Sequence, residues 1–344
     1  MTLQSDIFEQ PAVLARLLDC QRQAIQNATK LFGEDIRYVF LAARGTSDNA
    51  ARYAQYLWGA YNQLPIALAT PSLFSLYQRP PSLKGALVVG ISQSGQSPDI
   101  VSVLAEGRRQ GCPTLAITNT SESPLAQAAD VVIDICAGRE TAVAATKTYT
   151  SELMAIALIS ASLSASQEMH RVLENVPSWA SNMLRMDGEL ARMAERYRYM
   201  EQCVVLGRGF NYSTAFEWSL KLKELTYITA EPYSSADFQH GPIAIVEQGY
   251  PVLAVAPSGQ VYQGLLDLLR ALRQQRRAEL LVISDRSEAL GLAQSPVALP
   301  EGLPEWVSPL ISIVPAQLFC YHLTRARGFD TETPRGLHKV TETQ

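Results

Sequence analysis

The sequence predicts an α/β fold in two similar domains, each a parallel β-sheet covered on both faces by helices. The first observation is that short apolar runs alternate with helix-like stretches. A strand buried on both faces reads as a continuous apolar run, and its alternation with helices marks βαβ units. The second is that the order occurs twice. VFLAARGTSDNAA (39–51) aligns with VVLGRGFNYSTA (204–215), which puts Arg44-Gly45 on Arg208-Gly209 at an offset of 164; SGQ at 94–96 falls on SGQ at 258–260. LAITN (115–119) falls on LVISD (281–285) at an offset of 166. A period this long is too great for a solenoid repeat and means a duplicated domain. The third is size: 344 residues, 47% hydrophobic and 18% charged, suit two globular domains.

Taken in order, residues 10–32 carry helical periodicity. YVFLAA (38–43) reads as a strand, 48–61 as a helix, and IALAT (66–70) and GALVVGIS (85–92) as strands. The stretch 98–110 is a helix, PTLAITN (113–119) and ADVVIDI (129–135) are strands, and 145–165 is a long helix. The expected organisation is an N-terminal helical segment (1–34), a first domain (35–165), a linker of one helix or a helix pair (166–197), a second domain (198–330) and a tail or lid (331–344).

Composition narrows the function. A net charge of −4 argues against nucleic acid or an anionic membrane as partner. Cys20, Cys112, Cys136, Cys203 and Cys320 show no CxxC spacing, which argues against a zinc site and a disulfide framework. The N-terminus does not read as a signal peptide, and the apolar run LMAIALISASL is too short for a membrane span. A reduced, cytoplasmic protein without a metal or organic cofactor is expected.

The stretch GISQSGQSPD (90–99) is either a strand–helix turn or an anion cradle. It follows a strand and precedes a helix start, with Ser97 as N-cap, Pro98 at the first helical position and Asp99 in the first turn. Free amides at a helix N-terminus favour an anion, and Gly95 lets backbone approach it. In the second copy the stretch is VAPSGQV: SGQ survives, but Ser92 becomes Ala256 and Ser97 becomes Val261. Thr46-Ser47 likewise become Phe210-Asn211. A turn needs only SGQ, so the added hydroxyls read as ligand groups, and one phosphate site per chain is expected, in the first half.

The motifs ARGTSDNAA, ISQSGQSPD, AGRETAVAATKTYTSEL, LKLKELTYITAEPYSSADFQHGPIAIV and PRGLHKVTE together resemble the double sugar-isomerase (SIS) domain proteins. They are most similar to the isomerase half of glutamine–fructose-6-phosphate aminotransferases and to stand-alone deaminases. The resemblance implies two tandem SIS domains, flavodoxin- or Rossmann-like, and a homodimer. It implies phosphate binding by Ser92, Gln93, Ser94 and Ser97, a closing loop of Gly45, Thr46 and Ser47, and a sugar contact from Val143. It implies that Glu224 moves a proton between C1 and C2, that His240 opens the ring from the neighbouring subunit, and that Lys339 approaches the carbonyl end. Arg44 and Ala145 depart from the synthase pattern and are expected to tune the substrate. No ammonia-generating module is expected before the first motif. The expected reaction converts glucosamine 6-phosphate to fructose 6-phosphate and ammonia. Alternatives are galactosamine-6-phosphate deamination, a fructosamine-6-phosphate deglycase and a sugar-phosphate sensor.

The residues themselves suit that chemistry. Histidine titrates near neutrality and is the natural ring opener. A carboxylate in a suitable environment is the natural C–H base. Glu217, Lys221 and Glu224 share one helix face at i, i+4 and i+7, which by spacing alone would be a surface ladder of ion pairs.

Overall fold

The computed structural model describes residues 2–339; residues 340–344 of the expected tail lie outside the described residues. The chain divides into two compact units, each assembled from separate stretches. The first unit comprises Glu9–Thr141, Ala145–Pro177 and the segment from His338. The second comprises Met1–Phe8, Ala142–Ala144 and Ser178–Leu337.

The first unit is built on five strands: β1 (Tyr38–Ala42), β2 (Ile66–Leu68), β3 (Ala86–Ser92), β4 (Thr114–Thr118) and β5 (Val131–Asp134). They lie in the order β2-β1-β3-β4-β5, and every pairing is parallel. Strands β3 and β4 are buried along their whole length, as continuous apolar runs require. The Pro98–Arg109 helix covers one face, and a core of Val88, Ile100, Val103, Leu104 and Leu125 forms between them. Gly107 permits this approach: a Cβ there would lie 2.7 Å from Val88 Cγ2. The Lys147–Leu163 helix is buried from Lys147 to Ala161, which explains why its middle, residues 153–159, is apolar on every side.

The second unit repeats the plan with β6 (Gln202–Gly207), β7 (Thr229–Ser234), β8 (Pro251–Val255), β9 (Glu279–Ser284) and β10 (Ser295–Ala298), ordered β10-β9-β8-β6-β7. Read from the other edge, this is the order of the first sheet. The register repeats as well. Phe40 pairs with Val88, and their counterparts Val204 and Val252 pair; Val89 pairs with Leu115, and Leu253 with Leu281. The duplication seen in the sequence is thus a duplication of strand pairing.

Some expectations need correction. The stretch 166–197 is neither one helix nor a pair but three: Gln167–Glu174, Val176–Leu184 and Asp187–Arg196. The helix expected over 48–61 begins at Gly45. The reading of the cysteines as unpaired also fails. The Leu3–Cys20 helix ends beside the exit of β5, and Cys20 is disulfide-bonded to Cys136, 116 residues away, while Cys112, Cys203 and Cys320 are free and buried. Spacing in sequence cannot reveal a pair that only the fold brings together. Among the described residues no helix is long and apolar enough to cross a membrane.

Candidate active site

In an open parallel sheet, ligands bind beyond the carboxyl ends of the strands, where the connections diverge to opposite sides; for the order 2-1-3-4-5 that point lies between β1 and β3. In the first unit the loops there are 43–47 and 93–97. Gly45 has φ +54° and Gly95 φ +63°, left-handed conformations that favour glycine. A Cβ on Gly95 would stand 2.1 Å from Ser123 Oγ and 3.1 Å from Thr118 Oγ1, so the loop rests tightly on its neighbours. A Cβ on Gly45 would meet nothing within 4 Å, so the space beside this turn is open.

The hydroxyls divide into two kinds. Ser92 is buried, and its Oγ accepts from the Gly95 amide at 3.2 Å; Ser94 Oγ accepts from the Gln96 amide at 3.3 Å. Both serve the turn while keeping a hydroxyl proton to donate. The Gln93 carbonyl accepts from the Asn119 amide at 3.1 Å. Ser97 is the N-cap of the Pro98–Arg109 helix, but its side chain makes no capping bond. Ser47 differs: it is buried, and its Oγ donates to Glu152 Oε1 at 2.8 Å. Thr46 is half-buried beside it.

Arg44 lies at the same loop. Its Nε donates to Asp99 Oδ2 at 2.7 Å, with the Asp99 side chain 2% exposed and that of Arg44 49% exposed. Asp99 therefore aims a guanidinium that remains accessible. The sequence reading took Asp99 only as a helix-start acid and missed this role.

A second cluster in the first unit gathers on Glu140. This buried carboxylate accepts from the Thr146 amide at 2.9 Å, from Thr148 Oγ1 at 2.7 Å and from Lys339 Nζ at 2.8 Å. Burial pushes the Glu140 carboxyl up, but the Lys339 charge and these hydrogen bonds outweigh it and hold it below the ordinary carboxylate value. Lys147 is buried and donates to Glu9 Oε2 at 2.6 Å and to the Arg139 carbonyl at 2.8 Å. Ala145, half-buried, sits between these anchors in the same loop.

Glu224, His240 and Val143 belong to the second unit. Glu224 is on the Tyr212–Thr226 helix, where Lys221 Nζ donates to its Oε2 at 2.5 Å and lies 3.4 Å from Glu217 Oε1. The spacing suggested a surface ladder, but Glu217 and Lys221 are 0% and 1% exposed and only Glu224 reaches out, at 23% for its side chain. Burial opposes the charge on Lys221, but Glu217 and Glu224 outweigh it and raise its pKa. The arrangement presents one carboxylate, fixed through one oxygen, at the end of a buried charge chain. His240 caps the Ser235–Gln239 helix at its C-terminus and is exposed. Val143 is half-buried, and its neighbour Ala142 donates its amide to Asp6 Oδ2 at 3.4 Å. Among the described residues no group of three or more His, Cys, Asp or Glu side chains could hold a metal ion.

The SIS domain model matches residues 34–162 and again 198–326. The glutamine–fructose-6-phosphate aminotransferase of Aquifex aeolicus (strain VF5) is 32% identical over 337 residues, covering 97% of this chain and 56% of that protein. The chain thus spans little more than half the length of such relatives. The C-terminal domain of glucosamine-fructose-6-phosphate aminotransferase from Francisella tularensis superposes with a TM-score of 0.88 at 28% identity, covering 96% of this chain and 98% of that one. The glucosamine-6-phosphate deaminase of Thermotoga maritima shares the fold, with a TM-score of 0.80 at 20% identity and full coverage of both chains.

Proposed function

The chain belongs to the SIS domain family, and from that premise we propose that it is a sugar-phosphate isomerase and deaminase converting glucosamine 6-phosphate, with water, to fructose 6-phosphate and ammonia. The observation that carries this reading is Glu224, a partly exposed carboxylate fixed by a buried lysine. In the reaction His240 of a neighbouring subunit in a homodimer opens the ring by moving a proton from the anomeric hydroxyl to O5. Glu224 takes the C2 proton of the open aldehyde and returns it to C1, while the carbonyl oxygen at C1 gains a proton and the amine nitrogen gives one up. This leaves an imine at C2, which water hydrolyses to the ketone and ammonia. Fixing Oε2 on Lys221 orients Glu224 so that Oε1 can carry the proton. Ser92, Gln93, Ser94 and Ser97 hold the phosphate at the N-terminus of the Pro98–Arg109 helix, Gly45 and Thr46 close over it, and Lys339 and the Val143 backbone contact the sugar.

A second reading is supported by Arg44. Its half-exposed guanidinium suits a carboxylate carried on the substrate nitrogen, as in an amino-acid conjugate cleaved by a fructosamine-6-phosphate deglycase. One experiment decides. Glucosamine 6-phosphate, galactosamine 6-phosphate and fructoselysine 6-phosphate are each assayed for ketose or aldose phosphate and released amine, with the wild type and Glu224→Gln. Ammonia from glucosamine 6-phosphate, with kcat falling roughly 100-fold or more in the variant, is expected for a lost proton-transfer group. Wild-type rates in Glu224→Gln overturn the base assignment. Turnover of fructoselysine 6-phosphate alone establishes the deglycase reading.

A further inference from the structure

The second sheet has its own switch point, between β6 and β8, and its loops are 208–211 and 256–261. The turn of the first unit is reproduced there, with Gly209 at φ +61° where Gly45 has +54°. The space beside the turn is not reproduced. A Cβ on Gly45 meets nothing within 4 Å, whereas one on Gly209 would lie 3.4 Å from Val261 Cγ1 and 3.7 Å from Glu305 Oε1. From the other loop, a Cβ on Gly259 would fall 2.1 Å from Glu305 Oε2, and the Gln260 amide donates to that oxygen at 2.7 Å. The Glu305 carboxylate therefore lies between the two strand-end loops, as a bound anion would.

Ser258 of the same loop is also satisfied by an acid of this chain. The Ser258 amide donates to Asp285 Oδ1 at 2.6 Å and its hydroxyl to Oδ2 at 2.5 Å. In the first copy Asp285 aligns with Asn119, whose side chain turns to the Gly138 carbonyl at 2.7 Å and the Ala137 amide at 3.0 Å. Glu305 is held in place by its own backbone: its carbonyl accepts from Ser308 Oγ at 2.6 Å at the head of the Ser308–Ala326 helix.

We propose that the second unit retains an anion site whose resident ligand is the chain's own Glu305, and that removing this carboxylate opens the site to a phosphate group. Carboxylate and phosphate compete for the same donor, the Gln260 amide, which lies just before the N-cap Val261 of the 14-residue Tyr262–Gln275 helix. The proposal rests on the phosphate-loop reading of the first unit, and the test separates the two.

Inorganic phosphate binding is measured by calorimetry on the wild type, Ser92→Ala/Ser94→Ala, Glu305→Ala and the triple variant. The expected numbers of sites are one, none, two and one. A triple variant that binds no more phosphate than the double overturns the proposal, whatever the first loop does. Equal binding by the wild type and the double variant overturns the first-unit reading and leaves the comparison of double with triple intact. Where loss of Glu305 weakens folding, thermal unfolding gives the answer: phosphate at about 100 times its Kd stabilises a binder by about 2.7 kcal/mol. The melting temperature of the triple variant then rises with phosphate while that of the double does not. A flat response in both overturns the proposal. Glu305→Gln, which keeps an acceptor for the Gln260 amide, gains no site; a gain there overturns it as well.

Discussion

Lys221 is a single ammonium on which two carboxylates depend. Removing one member of a buried ion pair leaves an uncompensated charge and costs about 3–5 kcal/mol. Lys221→Met should lower stability by that amount, and adding Glu217→Gln should recover part of it; denaturant unfolding of the single and double variants measures both. Equal stability of Lys221→Met and wild type would show that the chain of charges carries no stability. Glu140 makes a pH-dependent prediction. Its folded pKa is depressed, so its contribution is complete above the unfolded value of about 4.3 and is lost as pH falls through the lower folded value. The melting gap between wild type and Glu140→Gln should be widest near about pH 7 and narrow in acid. A gap that stays constant down to about pH 3 would contradict this. The sequence named Glu224, but spacing alone made Glu217 and Lys221 a surface pair. A hydropathy pattern cannot see that a polar face is turned inward when its charges satisfy one another.

At the level of elements, close approach decides more than propensity. Gly107 sits in the interior of the Pro98–Arg109 helix, where glycine is a poor helix former. It is there because Val88 stands where its Cβ would be. Gly107→Ala should therefore cost about 1–3 kcal/mol through overpacking, despite alanine's better propensity. Thermal unfolding checks the sign: a stabilised variant would mean that helix and sheet separate easily. The strands of the first unit, the buried Lys147–Leu163 helix and the Ser97-Pro98 helix start were legible because apolar runs and a proline at the first helical position act locally, whereas β7 (TAEPYS), which carries no such run, was not legible. The aiming of Arg44 by Asp99 was not, because the partners are 55 residues apart and meet only when β1 and β3 lie side by side. Ser47 was read as a ligand from its motif alone; that its hydroxyl proton goes to Glu152, 105 residues away, was equally hidden from the sequence.

At the level of the whole molecule, the internal comparison proved the most informative signal. The repeat is legible by eye and holds through strand order and register. Among its broken correspondences, the space that is open beside Gly45 is taken beside Gly209 by Val261, from the compared motif, and by Glu305, from outside it. The disulfide is equally nonlocal. Under non-reducing denaturing conditions three thiols should titrate, and all five cysteines after reduction; five without reductant would exclude the Cys20–Cys136 bond. The Glu140–Lys339 pair has a consequence for biosynthesis. Its partners are separated by 199 residues, and domains fold in order as the chain emerges from the ribosome. The first unit thus reaches most of its structure while Glu140 still lacks its counter-ion. For nearly the whole second half of translation the nascent chain carries an unneutralised carboxylate, and only the arrival of Lys339 completes the loop. A prematurely terminated chain could contain both sheets in full and still never acquire that last contact.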